Sequence, residues 1–235
     1  MKGWINGIGW VTPAGFGCGR GVSQQPLCSG SVEIPKRKQV FTKADMRFGR
    51  LDEFSRIGLA AIAFCLRDAG VEEWDEKRAI GIVAASRHGC LQTDLAYLNT
   101  LIPDQGKLAS PNLFAYTLPN SFLGEAALRF GLAANTLVFN HADTTALSPL
   151  CYALEELAWS DQQAIVAGIC DLPAVAEFSC QDDTPGSLFV LLGKEPPRDK
   201  PAYGTLELQD GRLLFSDELM PDLPTLITAC LTAEK

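Results

Sequence analysis

His88, His141, Asp143 and Cys151 are the side chains of this 235-residue chain weighed first for acid–base or nucleophilic chemistry. His141 and Asp143 fall in a small-residue turn, Asn140-His-Ala-Asp143-Thr-Thr-Ala146. The turn separates a β-prone run (Thr136, Leu137, Val138, Phe139) from an apolar helical pattern over 150–159. Many α/β enzymes hold a nucleophile in this strand–turn–helix layout, because the unpaired N–H groups of a helix start favour negative charge. Here the turn offers Asp143 where a serine or cysteine would be needed. A carboxylate is a good helix cap and a poor acyl nucleophile. His141 and Asp143 as an acid–base pair is the alternative, but neighbours two apart point different ways, so capping is the preferred role. Cys151 lies inside the apolar helix and reads as core.

Metal and nucleotide chemistry find no support. The two histidines have no partner three or four residues away, and the eight cysteines include no CxxC pair. Gly15-Phe-Gly17-Cys-Gly19 is a flexible turn with no helix signal behind it, so neither a metal nor a cofactor is expected. A net charge of −8 argues against a nucleic-acid partner or an anionic membrane surface. One local exception, Lys36-Arg37-Lys38 followed by Lys43, Arg47 and Arg50, reads as a solvated loop or as a docking patch for an acidic protein. Cysteines scattered through apolar runs fit a reducing compartment. No leader pattern and no apolar run long enough to span a bilayer occur, so a cytoplasmic, soluble protein is expected.

The elements that must position the turn alternate strand and helix. Strands are expected over 3–10, 78–85, 136–140, 164–170 and 187–192, with a hairpin over 204–215 broken at Asp210-Gly211. Helices are expected from Asp52 as cap to Ala69 with Gly70 as exit, over 91–102, from Asn120 or Ser121 to Gly131, over 150–159 and over 221–232. Two prolines make 110–119 an extended loop, and 16–50 shows no strong period. Apolar strands alternating with helices give an α/β class with a mixed sheet sandwiched between helices, in one domain over 1–235. The middle of the first long helix, 57–66, is apolar on every face and therefore buried all round.

Taken in order, these pieces resemble the N-terminal half of a β-ketoacyl synthase of the thiolase fold. The carriers are Ile8-Gly-Trp-Val-Thr-Pro-Ala-Gly15; Asp52-Glu-Phe-Ser-Arg56 through Asp68-Ala-Gly70; and Arg78-Ala-Ile-Gly-Ile-Val83. They continue with Pro111-Asn-Leu-Phe114 and Leu118-Pro-Asn120 through Phe130-Gly-Leu132; the turn His141-Ala-Asp143-Thr-Thr-Ala146; and Ala167-Gly-Ile169. The match covers about 3–195, leaving 196–235 as hairpin and terminal helix. Asp143 falls where the family has its catalytic cysteine, and the family's C-terminal half, with its two active-site histidines, has no counterpart. Ser148-Pro149, read as cap and first helical residue, marks a reshaped turn.

The resemblance implies a half-length, catalytically inactive relative of the chain-length factors that accompany aryl polyene-type synthases. Its partner would be an active, full-length ketosynthase, whose acyl tunnel it shapes or stabilises in fatty-acid or polyketide biosynthesis. Phe114, Tyr116 and Phe122 are the tunnel candidates implied, and Thr136, Leu137, Val138 and Phe139 the strand that pairs across the dimer. An acyl carrier protein is a further implied partner of the Lys36–Arg50 patch. A half chain is also expected to leave helices 57–66 and 150–159 without the cover that the second half supplies. A self-associating acyl-binding or scaffold protein, and an enzyme using His141 and Asp143, remain the alternatives.

Overall fold

The first strand, β1 (Lys2–Thr12), is the spine of the molecule; the computed structural model describes residues 1–22, 28, 30–43, 45–103, 105–140, 145–173 and 185–233. Its run of apolar and glycine residues is buried on both faces. β2 (Gly15–Cys18) folds back on its C-terminal part through the Pro13–Ala14 turn. Short helical turns follow, α1 (Arg37–Val40) and a 3₁₀ turn at Phe48–Arg50, where the sequence showed no period.

The long helix α2 (Glu53–Asp68) starts where Asp52 accepts a hydrogen bond from the Ser55 amide at 3.0 Å. It ends at Gly70, whose φ of +76° makes the left-handed exit. Then come β3 (Ile80–Ser86), α3 (Leu91–Leu101), the single turn α4 (Pro111–Phe114) and α5 (Ser121–Phe130). The turn α4 corrects the fully extended loop expected over 110–119: Pro111 sits at the helix start, where its missing N–H is no loss, and Ser110 caps it. β4 (Thr136–Asn140), α6 (Ser148–Trp159) and β5 (Ala164–Asp171) complete a β-α-β unit, followed by β6 (Gly186–Gly193). Leu147 flanks α6, so Ser148 and Pro149 lie inside its first turn and Ser148 is not the cap. The chain closes with β7 (Gly204–Gln209), β8 (Arg212–Phe215), β9 (Glu218–Leu219) and α7 (Leu223–Ala233).

Among the described residues nine strands form one sheet in the order β4-β3-β5-β6-β1-β7-β8-β9, with β2 beside β1. β3 runs parallel to both β4 and β5; the other pairings are antiparallel. One core lies under α2 and α5, where Phe54, Phe122 and Phe189 interlock. The second lies under α6 and α7, where Leu150 and Leu154 meet Val190, Leu206, Leu226 and Ile227.

These two cores correct the expected lack of cover for helix 57–66, and for helix 150–159 on its inward face only. Every residue from Ile57 to Leu66 is buried within this chain. A Cβ on Gly9 would run into the Cys65 amide and the Ala61 carbonyl, so only glycine lets α2 lie this close to β1. For α6 the hairpin β7–β8 and helix α7 close over the inward face, while Tyr152, Glu155 and Trp159 stay exposed. The C-terminal segment is fastened by charge as well. The Tyr203 hydroxyl donates to the buried Asp68 carboxylate at 2.8 Å, which also accepts from the Ile8 and Arg20 amides. Lys200 Nζ donates to the Asp68 carbonyl at 2.8 Å, at the end of α2.

Candidate functional site

Parallel strands β3, β4 and β5 end on the same side of the sheet, the side where open α/β sheets place their sites. Asp171, the last residue of β5, organises that edge. Its carboxylate accepts from Ser86 Oγ at 2.8 Å and from the amides of Arg87 at 2.9 Å and His88 at 3.0 Å. Ser86 Oγ in turn accepts from the Gly89 amide at 2.7 Å, and Asn140 Nδ2 donates to the Arg87 carbonyl at 2.9 Å. The 86–89 turn is therefore tied to β5 and to β4 at once. Local sequence gave no sign of this clasp; the only trace is a carboxylate ending an otherwise apolar strand.

The turn between β4 and α6, 141–144, lies outside the described residues. Neither the capping role of Asp143 nor a His141/Asp143 pair can be given a geometry. Cys151 is half-buried on the second turn of α6, and its side faces a groove.

That groove, of about 790 Å³ among the described residues, lies beside the strand–helix junction. Leu137 and Phe139 of β4, Cys151 and Tyr152 of α6, and Leu213 and Leu219 of the C-terminal segment line it. Glu155 and Arg212 also line it, and both are exposed. The Phe139 and Tyr152 rings meet at 6.3 Å. β4 and β9 are the two ends of the sheet order, so the sheet curls around α6 until both ends reach one groove. Along β4 the side chains alternate as a strand requires: Phe139 packs toward the α6 core and Val138 toward the α2 core. Thr136 and Leu137 are exposed, and the edge of β4 away from β3 has no strand on it among the described residues.

The tunnel candidates are dispersed. Phe122 is fully buried, edge-to-face on Phe54 at 5.4 Å and close against Gly58. Tyr116 is half-buried at the margin of the same core, and burial, then the Glu125 carboxylate, raises its phenol above its ordinary value. Phe114 is 62% exposed and pairs with Tyr97 at 5.5 Å. Within the basic stretch, Arg47 is paired to Glu125 at 2.6 Å and Lys43 to Glu73, while Lys36, Lys38 and Arg50 are exposed. No group of three His, Cys, Asp or Glu side chains suited to a metal occurs among the described residues. No helix among them is long and apolar enough to cross a membrane.

Burial sets the thiol chemistry. It pushes Cys18 to about 11 and Cys90 to about 12, with the carboxylates of Asp68 and Asp94 adding to the effect, and raises Cys65 and Cys170 further. None of these four is poised as a thiolate near neutral pH.

Among known proteins, the chain is 30% identical over 132 residues to 3-oxoacyl-[acyl-carrier-protein] synthase 2 of Vibrio cholerae, over 56% of this chain and 31% of that protein. The same synthase of Vibrio harveyi is 29% identical over 131 residues, 55% of this chain and 31% of its own length. The match thus spans about a third of these relatives. Among solved structures, the type II polyketide acyl-carrier protein with its ketosynthase (AntDE:AntF) superposes at a TM-score of 0.69 with 16% identity, over 87% of this chain and 67% of that one. The ishigamide ketosynthase/chain length factor gives 0.67 at 12% identity, over 87% and 62%. The ketosynthase ApeO with its chain length factor ApeC from Xenorhabdus doucetiae gives 0.55 at 15% identity, over 83% and 80%. These likenesses show the thiolase-like ketosynthase fold. Residues 35–180 match the family described as the β-ketoacyl synthase N-terminal domain, well over half the chain, and the chain belongs to that family.

Proposed function

We infer that this chain is a catalytically silent, ketosynthase-like subunit that pairs with an active β-ketoacyl synthase and shapes or stabilises its acyl tunnel. The observation that carries the pairing is the edge of β4, which bears no strand among the described residues and has Thr136 and Leu137 exposed above an apolar groove. An unpaired edge presents a row of N–H and C=O groups that another strand satisfies. The silence follows from Asp143, which stands at the family's cysteine position; a Claisen-type condensation needs a thiolate there. Two of the structural neighbours are ketosynthases bound to a chain length factor, which is the kind of pair this reading describes, including one named for the Ape proteins. A carrier protein is the second partner on this reading, with exposed Lys36, Lys38 and Arg50 as the cations that would meet it.

Co-purification tests it. The chain is co-expressed with a full-length β-ketoacyl synthase of the same organism, and the mass of the product is read by light scattering. A stable one-to-one complex is expected, lost in Leu137→Lys, which places a charge on the strand edge. A chain that stays monomeric beside that synthase overturns the proposal. Condensation activity in the isolated chain overturns the silent half of it.

A further inference from the structure

Helix α3 differs from the other long helices in how little of it is buried. Thr93 is its one buried residue, whereas α5 buries Phe122, Leu123, Ala126 and Phe130. The chain from α3 through α4 is instead bonded to itself. The Ser110 amide donates to Thr100 Oγ1 at 3.0 Å, Thr100 Oγ1 donates to the Tyr97 carbonyl at 2.8 Å, and the Tyr97 and Phe114 rings meet at 5.5 Å. Its outer surface leaves Leu98, Ile102, Leu108, Phe114 and Leu118 exposed. The two ends of the excursion lie side by side: a Cβ on Gly89, where φ is +56°, would come within 3.3 Å of Pro119 Cβ. Ties to the body are few among the described residues. The Thr93 hydroxyl donates to Asp52 Oδ2 at 2.5 Å and Gln92 Nε2 to the Pro173 carbonyl at 2.6 Å. Ser121 Oγ donates to the Ala115 carbonyl at 3.4 Å, and Tyr116 packs on the margin of the α2 core.

We propose that α3 and α4 form one flap, pivoting between Gly89 and Pro119 and latched by the Thr93–Asp52 hydrogen bond. A unit with firm internal ties and few buried apolar contacts opens at a lower free energy than the core it rests on. The first pivot is fixed because Asp171 clasps the 86–89 turn, and the second because Pro119 leads directly into α5. Asp52 accepts the Ser55 amide with Oδ1 and the Thr93 hydroxyl with Oδ2. Opening therefore frees one oxygen and leaves the cap of α2 in place, so the flap moves without unwinding that helix. Phe114 and Tyr116 ride on the flap while Phe122 stays in the core, and the three do not form one rigid wall.

Native-state hydrogen exchange on the intact chain, read at several low urea concentrations, tests the flap. The α3 amides from Asp94 to Ile102 are expected to exchange together, less protected than those of α2 and with a weaker urea dependence. Thr93→Val keeps the branched shape and removes the hydroxyl; exchange in α3 and α4 is expected to rise about tenfold or more. Ile227→Val, in the second core away from the flap, is the complementary change. It destabilises the open and closed forms equally, so it is expected to speed the best-protected α2 amides about two- to tenfold and leave α3 unchanged. If α3 follows α2 in urea dependence and in Ile227→Val, it opens only with the whole chain and the flap is overturned. Unchanged α3 exchange in Thr93→Val, or loss of the folded state there, overturns the latch. The chain is measured alone, so each result leaves the pairing reading untouched.

Discussion

Removing one oxygen atom, in Tyr203→Phe, is expected to loosen the C-terminal segment from the body of the molecule. The Tyr203 ring is 6% exposed, and its hydroxyl donates at 2.8 Å to an Asp68 carboxylate whose side chain is 1% exposed. A hydrogen bond to a charged group contributes about 1.5–3 kcal/mol, and burial here leaves no water to replace it. For a chain of this length that corresponds to a fall of about 3–12 °C in Tm. Asp68→Ala is expected to do more, about 3–5 kcal/mol, because it also strips the acceptor from the Ile8 and Arg20 amides and removes the carboxylate beside the Arg20 guanidinium. Urea unfolding followed by tryptophan fluorescence measures both, and the double variant completes a cycle. The two changes share one contact, so their effects should fall short of additive by about 0.5–3 kcal/mol. A Tyr203→Phe protein within about 0.5 kcal/mol of the parent, or strict additivity, would refute the claim that this bond ties the hairpin and α7 to α2.

Phe122→Ala should cost about 3–5 kcal/mol, since the ring is fully buried against Phe54 and Phe189, whereas Phe114→Ala on the surface should stay within about 1 kcal/mol by the same urea assay. Burial raises the Asp68 carboxyl above its usual 3.8, against the lowering effect of the Arg20 and Ile8 amides and the Tyr203 hydroxyl. The folded state then keeps that proton after the unfolded state has lost it. The contribution of Asp68 to stability is therefore expected to fall as pH rises from about 3.8 through the folded value, and Asp68→Asn should flatten that slope in a pH series of unfolding midpoints. Alkylation at pH 8 with peptide mapping should label exposed Cys28 first and leave Cys65, Cys90, Cys170 and Cys230 unmodified until the protein unfolds.

Elements that carry their own punctuation are legible without coordinates of any neighbour. Asp52 and Gly70 bracket α2, Gly131 with its φ of +61° closes α5, and Asp210-Gly211 turns β7 into β8. The run from Thr136 to Asn140 reads as a strand, the run after it as a helix, and the ordered motifs were sufficient for the family. Tertiary structure alone decided what covers those elements. That 57–66 is sealed by β1 and α5, with no second half of the fold, depends on glycine in β1 and Phe122 in α5 meeting a helix far away in sequence. The Asp171 clasp joins residues 85 apart and the Tyr203–Asp68 bond residues 135 apart. The groove exists only because the sheet curls until β4 and β9 approach one helix. Local propensity is written within one or two turns of helix or a few residues of strand. Contacts over such separations, by contrast, are chosen by the twist of the whole sheet and by which apolar faces remain to be buried.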